Sequence, residues 1–396
     1  EWAPFSLTRP AGELLFGTLT LRARAERVLG LTCTLALAPD HLTRFEEQGA
    51  PPVADVSGAL PTGGDRLFWL SRAVPGWNAA LPESATTDRG GPVTVGGAVA
   101  GWFAPAGSEP PAGFLDHPQR AEGEPVAELP GRILEHVWEL VTGNPEQLQL
   151  DIAALHPHPA APDLPAGVHH WGEHPVVLGE RVRLEPGCAI DTTEGPVWLD
   201  DDVRVLAFTR LEGPAYVGPA SELLGGPVKR SSIGPVCRVH GEVAGSICLG
   251  YSNKQHPGHL GHAYLGRWVN LGAGTNNSDL KNNYSAIRLW TPHGEEDTGE
   301  VKMGCLLGDH VKTGIGLQIN TGSVIGACSN LYGAEMPPKH VPPFSWGSGS
   351  ELTEYRLDKF LETAERAMER RDVPLSEGER AQLSSACERC RHPGGT

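Results

Sequence analysis

Leu307-Gly-Asp-His-Val-Lys-Thr313-Gly-Ile-Gly-Leu-Gln-Ile319-Asn-Thr-Gly-Ser-Val-Ile325-Gly-Ala-Cys-Ser-Asn-Leu331 is the stretch that decides the fold. One residue in six is Leu, Thr or Ile, and Gly308, Gly314 and Gly326 follow three of them. Six is not a helical period. It is a multiple of two, so an extended chain turns the same position inward at every repeat. Working outward, the phase is found at Leu178, Leu184 and Ile190, then at Leu199, Val205, Leu211 and Val217. It returns at Ile233 and Val239 and at Leu265 and Leu271. Three hexads make a triangular coil of roughly 18 residues, so the stretch predicts about eight to ten coils of a left-handed parallel β-helix. An ordinary β-sandwich would space its turns irregularly, and the run from Leu307 to Leu331 argues against it.

The phase breaks twice, over residues 249–264 and over the polar block 276–300. A solenoid accepts insertions only as surface loops, and such loops often form its binding face. Chemistry is therefore expected there.

The expected organisation has four parts. Residues 1–155 read as a mixed α/β domain, with a helix within 14–29, a strand at Leu31–Leu37, a short apolar run at Leu67–Leu70 and helical spacing over 132–141. Residues 156–170 contain a Pro-rich linker. The all-β solenoid fills 171–345, and 346–396 is a helical extension whose amphipathic stretch 350–371 is expected to cap the open end.

The 396 residues carry a formal net charge of −16, which sets aside nucleic acid and anionic membrane surfaces as partners. No apolar run reaches transmembrane length and no signal peptide is visible, so a cytoplasmic location is expected. Cys188, Cys237 and Cys328 fall at repeat positions that want a small apolar residue, which suits a reducing compartment. Cys387 and Cys390 with His392 lack a second ligand pair, so no metal site is expected.

Asn253-Lys-Gln-His256, Gly261-His-Ala-Tyr-Leu-Gly266 and Val269-Asn-Leu-Gly-Ala-Gly-Thr275 resemble the acetyltransferase half of the bifunctional glucosamine-1-phosphate acetyltransferase / N-acetylglucosamine-1-phosphate uridyltransferase family. Pro4-Phe-Ser-Leu-Thr-Arg-Pro-Ala-Gly-Glu-Leu14 resembles related sugar nucleotidyltransferases. The resemblance implies a homotrimer that uses acetyl-CoA to acetylate a sugar phosphate or nucleotide sugar. It maps the general base to His256, with His259 and His262 as the other candidates, and Lys254 to a sugar-phosphate ligand. Asn283 and Tyr284 map to the family's Asn-Tyr pair. Asn276, Asn277 and Lys281 are added substrate candidates, and Lys312, Thr313, Gly314 and Ala327 fall on the turns that would hold acetyl-CoA. His suits the base because its pKa lies near neutral. His240 and His310 lie within hexads and read as structural.

Nucleotidyl transfer is expected to need a Gly-rich phosphate loop, a lysine and Mg²⁺. The loop is missing, Thr8-Arg9-Pro10 is its nearest remnant, and the first lysine in the chain is Lys229. Arg9 and Arg22 are left as possible phosphate partners, with salt bridges as their competing role. The chain starts at Glu1 without Met, which leaves room for native residues before it that could hold the first strand. A non-catalytic scaffold is the remaining alternative.

Overall fold

The computed structural model describes residues 2–59, 63–81, 90–115, 117–118 and 123–391. His392 lies outside them. Two compact units are present, one of residues 1–9, 15–18 and 137–396, the other of 10–14 and 19–136. Residues 137–155, expected with the first domain, belong to the first-named unit, which also contains the solenoid.

That unit is a three-faced parallel β-solenoid. Its longest face has nine strands, from Val176–Leu178 to His340–Val341. The inward positions are those of the hexads: Leu184, Ile190, Leu199, Val205, Leu211, Val217, Ile233, Val239, Leu265, Leu271, Leu307, Ile319, Ile325 and Leu331 all lie in one buried core. Each coil alone has no second layer to pack on, so stacking is what removes these side chains from water.

Glycine and aspartate are not the main corner residues. Asp202, Ala220, Val236, Tyr251, Trp268, His310, Cys328 and Phe344 all have φ between 54° and 64°. The left-handed region disfavours such side chains. Here the turn aims backbone N–H groups at the preceding coil: Val236 donates to Pro219 O, Tyr251 to Pro235 O and Phe344 to Ala327 O, all at 2.8–2.9 Å.

The first phase break is small. Between Arg238–Val239 and Glu242–Ala244 the corner has two residues, and one coil later Gln255–Gly258 has four. The second is a true excursion. The chain leaves after Asn276–Asn277, forms the antiparallel hairpin Arg288–Thr291 and Gly294–Asp297, and re-enters at Cys305–Leu307 beside Tyr264–Leu265. Trp290 of the hairpin stacks on His340, centroids 3.6 Å apart.

The C-terminal segment departs from expectation. Glu351–Glu354 is a strand, antiparallel to Ser345–Ser348, and it closes the end of one face. Of residues 350–371 only Leu357–Glu369 is helical. It lies along a corner, where Phe360 and Ala364 pack against Cys328 and Phe344. The alternating Leu352 and the exposed charges around it suit an edge strand, which helical spacing over 350–371 obscured. A second helix, Glu377–Arg391, carries Cys387 and Cys390, both free thiols.

Residues 2–9 and 15–18 and the helix Asn144–Leu155 are tied to the solenoid. Tyr264 Oη accepts from Leu15 N at 2.8 Å and donates to Leu15 O at 3.1 Å. Asn144 Nδ2 donates to Ser232 Oγ at 2.9 Å, and Asp151 accepts from Thr18 N at 2.9 Å.

The other unit has a helix, Leu21–Leu29, with Thr20 as its N-cap and left-handed Gly30 as its C-cap. Its four-stranded sheet runs Arg66–Trp69, Ala98–Ala104, Gly91–Val95, Ala127–Leu129. The strand at Leu31–Leu37 shrinks to Ala36–Ala38, paired with Val53–Asp55. The helical spacing over 132–141 misleads: Gly131–Ile133 is a strand against Ala73–Pro75, and helix begins only at Glu139. Ile133 and Leu134 are apolar neighbours that fit either conformation, and strand pairing decides.

Candidate functional site

The resemblance-bearing residues converge at one corner of the solenoid. Lys254 occupies an inward, ladder position, aligned with Val239 in the coil before it. It is 3% exposed. Its Nζ donates to the carbonyls of His240 and His256, each at 2.8 Å. Burial pulls its pKa down to about 8. Lys254 therefore holds the corner Gln255–Gly258 in place from within and does not project into solvent.

His256 lies on that corner, exposed, and makes no side-chain hydrogen bond or ion pair with the described residues. Its two neighbours differ. His262 Nδ1 is 2.7 Å from Asp279 Oδ2. His259 lies between two carboxylates, with Nδ1 3.3 Å from Glu242 and Nε2 3.8 Å from Asp279. Asp279 and then Glu242 raise the His259 pKa, and His259 and His262 hold the Asp279 carboxyl well below its usual range. Gly261 permits this packing, because a Cβ there would collide with the Asp279 carboxylate and the His259 ring.

Asn276 and Asn277 set the register of this cluster. Asn276 Oδ1 accepts from His259 N at 2.7 Å and its Nδ2 donates to Gly274 O at 2.9 Å. Asn277, buried, accepts from Gly261 N and donates to Gly261 O, both at 2.8 Å. Both amides are used on backbone groups. Asn283 and Tyr284 are exposed at the start of the excursion, where Asn283 Oδ1 accepts from Ser285 N at 3.2 Å and Tyr284 is 70% exposed. Lys281 donates to Ala286 O and, at 3.4 Å, to Ser285 Oγ.

The four turn residues expected to hold acetyl-CoA do not share a surface. Lys312 donates to Trp268 O and lines a cavity described below. Gly314 is half-buried beside exposed Ile315. Thr313 points inward, its hydroxyl 2.9 Å from that of Thr275, and Ala327 is wholly buried against the C-terminal helices.

Arg9 is buried, and its Nε donates to Asp309 at 2.9 Å, beside the Thr8 hydroxyl, which donates to the same oxygen at 2.9 Å. The Thr-Arg remnant is thus a structural anchor. Arg22 pairs with Glu13 and, at 2.6 Å, with Glu26. Sequence reading missed Asp279 and Glu242. The signal was available for Asp279, which follows His262 by 17 residues, about one coil.

Among the described residues, no helix is long and apolar enough to cross a membrane. Residues 1–158 match the family model described as Sugar nucleotidyl transferase. The bifunctional sugar-1-phosphate nucleotidylyltransferase/acetyltransferase of Sulfurisphaera tokodaii is 30% identical over 178 residues, 42% of each chain. The bifunctional protein GlmU of Rippkaea orientalis is 32% identical over 117 residues, 28% of this chain and 23% of that protein. The Arabidopsis UDP-N-acetylglucosamine acyltransferase structure aligns over 57% of this chain and 96% of its own, at 13% identity and a TM-score of 0.32. The chain spans less than half the length of the curated relatives it matches. Residues 1–158 are thus similar to the sugar nucleotidyl transferase family, and part of the chain is similar to the bifunctional nucleotidylyltransferase/acetyltransferases.

Proposed function

We propose that the chain is an N-acetyltransferase that moves the acetyl group of acetyl-CoA to the amine of an amino-sugar phosphate or nucleotide sugar. The observation that carries the reading is the exposed His256 on a corner pinned from inside by Lys254, next to an ordered His–Asp cluster. In the reaction the amine nitrogen attacks the thioester carbonyl, the C–S bond breaks and the base takes the ammonium proton. A base must be neutral to accept it. Two carboxylates raise the His259 pKa and so favour its charged form, which suits anion binding better than proton abstraction. His256 has no carboxylate partner and is assigned as the base. The His262–Asp279 pair offers a second reading, because a carboxylate on Nδ1 leaves Nε2 to accept a proton.

Single variants separate the two. His256→Gln should reduce turnover by about 10²–10⁴-fold with little change in acetyl-CoA affinity, and His262→Gln by much less. The reverse ranking moves the base to His262, and two fully active variants remove the acetyltransferase assignment of this corner. Three chains are expected to assemble as a homotrimer, which sedimentation tests.

The family match of residues 1–158 favours one further reading, Mg²⁺-dependent synthesis of a nucleoside-diphosphate sugar. Against it stand the absence of any lysine before Lys229 and the use of Arg9 on Asp309. Among the described residues no group of three or more His, Cys, Asp or Glu side chains is placed to hold a metal by itself, so a Mg²⁺ ion would be shared between one or two carboxylates and the substrate phosphates. Pyrophosphate release from a sugar-1-phosphate and a nucleoside triphosphate would restore this reading.

A further inference from the structure

The helix Leu357–Glu369 and the solenoid corner beneath it line an open cavity of about 270 Å³. On the solenoid side, Asn253, Asn270 and Lys312 occupy the same outward position in three successive coils. Tyr251 and Trp268, their rings tilted by 36° with centroids 4.3 Å apart, form the adjoining corner. Arg366, Arg370 and Arg371 close it from the helix side.

Three observations point to a ligand. First, the charge is of the wrong sign for chance packing in a chain of net charge −16. Four cations ring the cavity, and among the described residues neither Arg370 nor Arg371 makes a salt bridge, while Arg366 meets Glu362 at 3.5 Å. Second, two buried polar atoms on opposite walls lack hydrogen-bond partners among the described residues: Arg371 Nε, a donor, and Asn253 Oδ1, an acceptor. Both residues line the cavity, and an unsatisfied buried polar atom costs about 1–3 kcal/mol, which hydrogen bonds gained as these side chains rearrange around a ligand would offset. Third, Lys312 is desolvated enough that its pKa falls to about 8, a penalty that an adjacent anion reduces.

We propose that this cavity binds the phosphate monoester of a small polar ligand. Arg370 and Arg371 present guanidinium donors to the phosphate, Asn253 and Asn270 face hydroxyl or amide groups, and the Tyr251–Trp268 corner supports a ring face. The volume equals about nine waters, enough to hold a monosaccharide phosphate or one end of a longer ligand. The terminal 3′-phosphoadenosine phosphate of the coenzyme carries the same chemistry and is the other source. The proposal goes beyond the acetyl-transfer reading and rests on none of its steps.

The test is calorimetric titration of the full chain with glucose-1-phosphate, which has no amine to acetylate, and separately with 3′,5′-ADP, inorganic phosphate and glucose. The same titrations are made on Arg370→Gln, an exposed position that leaves the fold intact, and on Arg371→Gln. Binding of either phosphate ester, with at least tenfold weaker affinity in both variants and unchanged affinity in His256→Gln, supports the proposal. Glucose-1-phosphate as the better ligand assigns a sugar phosphate, and 3′,5′-ADP assigns the coenzyme. Equal affinity in the Arg variants, binding of glucose or of inorganic phosphate alone, or no binding at millimolar concentration overturns it. Acetyl transfer is read in a separate assay, so either idea fails without the other.

Discussion

Replacing Lys254 by methionine isolates the cost of a cation set in an aliphatic ladder. Leu223, Val239 and Leu271 take the equivalent place in nearby coils and are buried in the core. The folded chain holds the Lys254 pKa at about 8, against 10.5 for an ordinary lysine. The unfolded chain therefore carries more protons between these values, and stability must rise with pH across that window. The penalty is present in full below the folded pKa and vanishes above the unfolded one. A shift of this size has a ceiling of about 3 kcal/mol, part of which is offset by the two bonds that Nζ donates to carbonyls. Between pH 7 and pH 9 the group should raise wild-type stability by about 1.3 kcal/mol, and Lys254→Met should lack that rise. Lys312 is shifted in the same direction, to about 8. It is present in both proteins, so the difference between them reports Lys254 alone. The assay is urea unfolding of both proteins at pH 7, 8 and 9. Methionine fills the ladder and should be neutral or stabilising at pH 7, with the gap closing as pH rises. Parallel pH curves would refute the desolvation argument. A variant weaker by more than about 2 kcal/mol at pH 7 would show that the carbonyl bonds outweigh burial.

Asp279→Asn should flatten the pH dependence of stability on both sides. The Asp279 contribution is present above 3.8 and lost as pH falls through its lowered folded pKa, and the His259 contribution is present below 6.5 and lost as pH rises through its raised one. Unfolding curves from pH 3 to 8 check this, and an unchanged profile excludes the cluster as a charge pair. Arg9→Ala leaves the buried Asp309 carboxylate without its cation and should cost about 3–5 kcal/mol in chemical denaturation. Gly304→Ala would drive a Cβ into Gly261 O and the Asn277 amide where the excursion rejoins the coil. It should cost about 1–3 kcal/mol, and a neutral result would mean the re-entry can shift.

The solenoid was legible because a period of six states which side chains face inward without reference to anything distant. Its corners were less so. Intrinsic preference for the left-handed region favours Gly, whereas Tyr251, Trp268 and His310 are held left-handed by hydrogen bonds to the coil below. The Lys254 position was read as part of a loop, because a charged residue interrupts an aliphatic pattern and the pattern cannot say that its amine turns back onto carbonyls. In residues 1–136 short strands lack a repeat. There Gly131–Ile133 and the neighbouring apolar residues fit helix and strand alike, and partners 60 residues away decide.

The site itself follows an arithmetic that extends the repeat. His262 meets Asp279, His259 N meets Asn276 and Asn253 meets Asn270, each pair 17 residues apart. One coil of chain converts that separation into contact here, whereas coils earlier in the solenoid take from 15 to 21 residues. A search one coil ahead works only while the phase is unbroken. After the excursion the step from Asn270 to Lys312 is 42 residues, and no period connects either to Arg371 on a segment outside the coils. The histidine cluster thus lies on the readable side of the excursion. The cationic cavity lies across it and is visible only once the helix is seated on the corner. That difference explains why a motif search finds the first and not the second, and it makes segments following an insertion the place to look for sites in other solenoids.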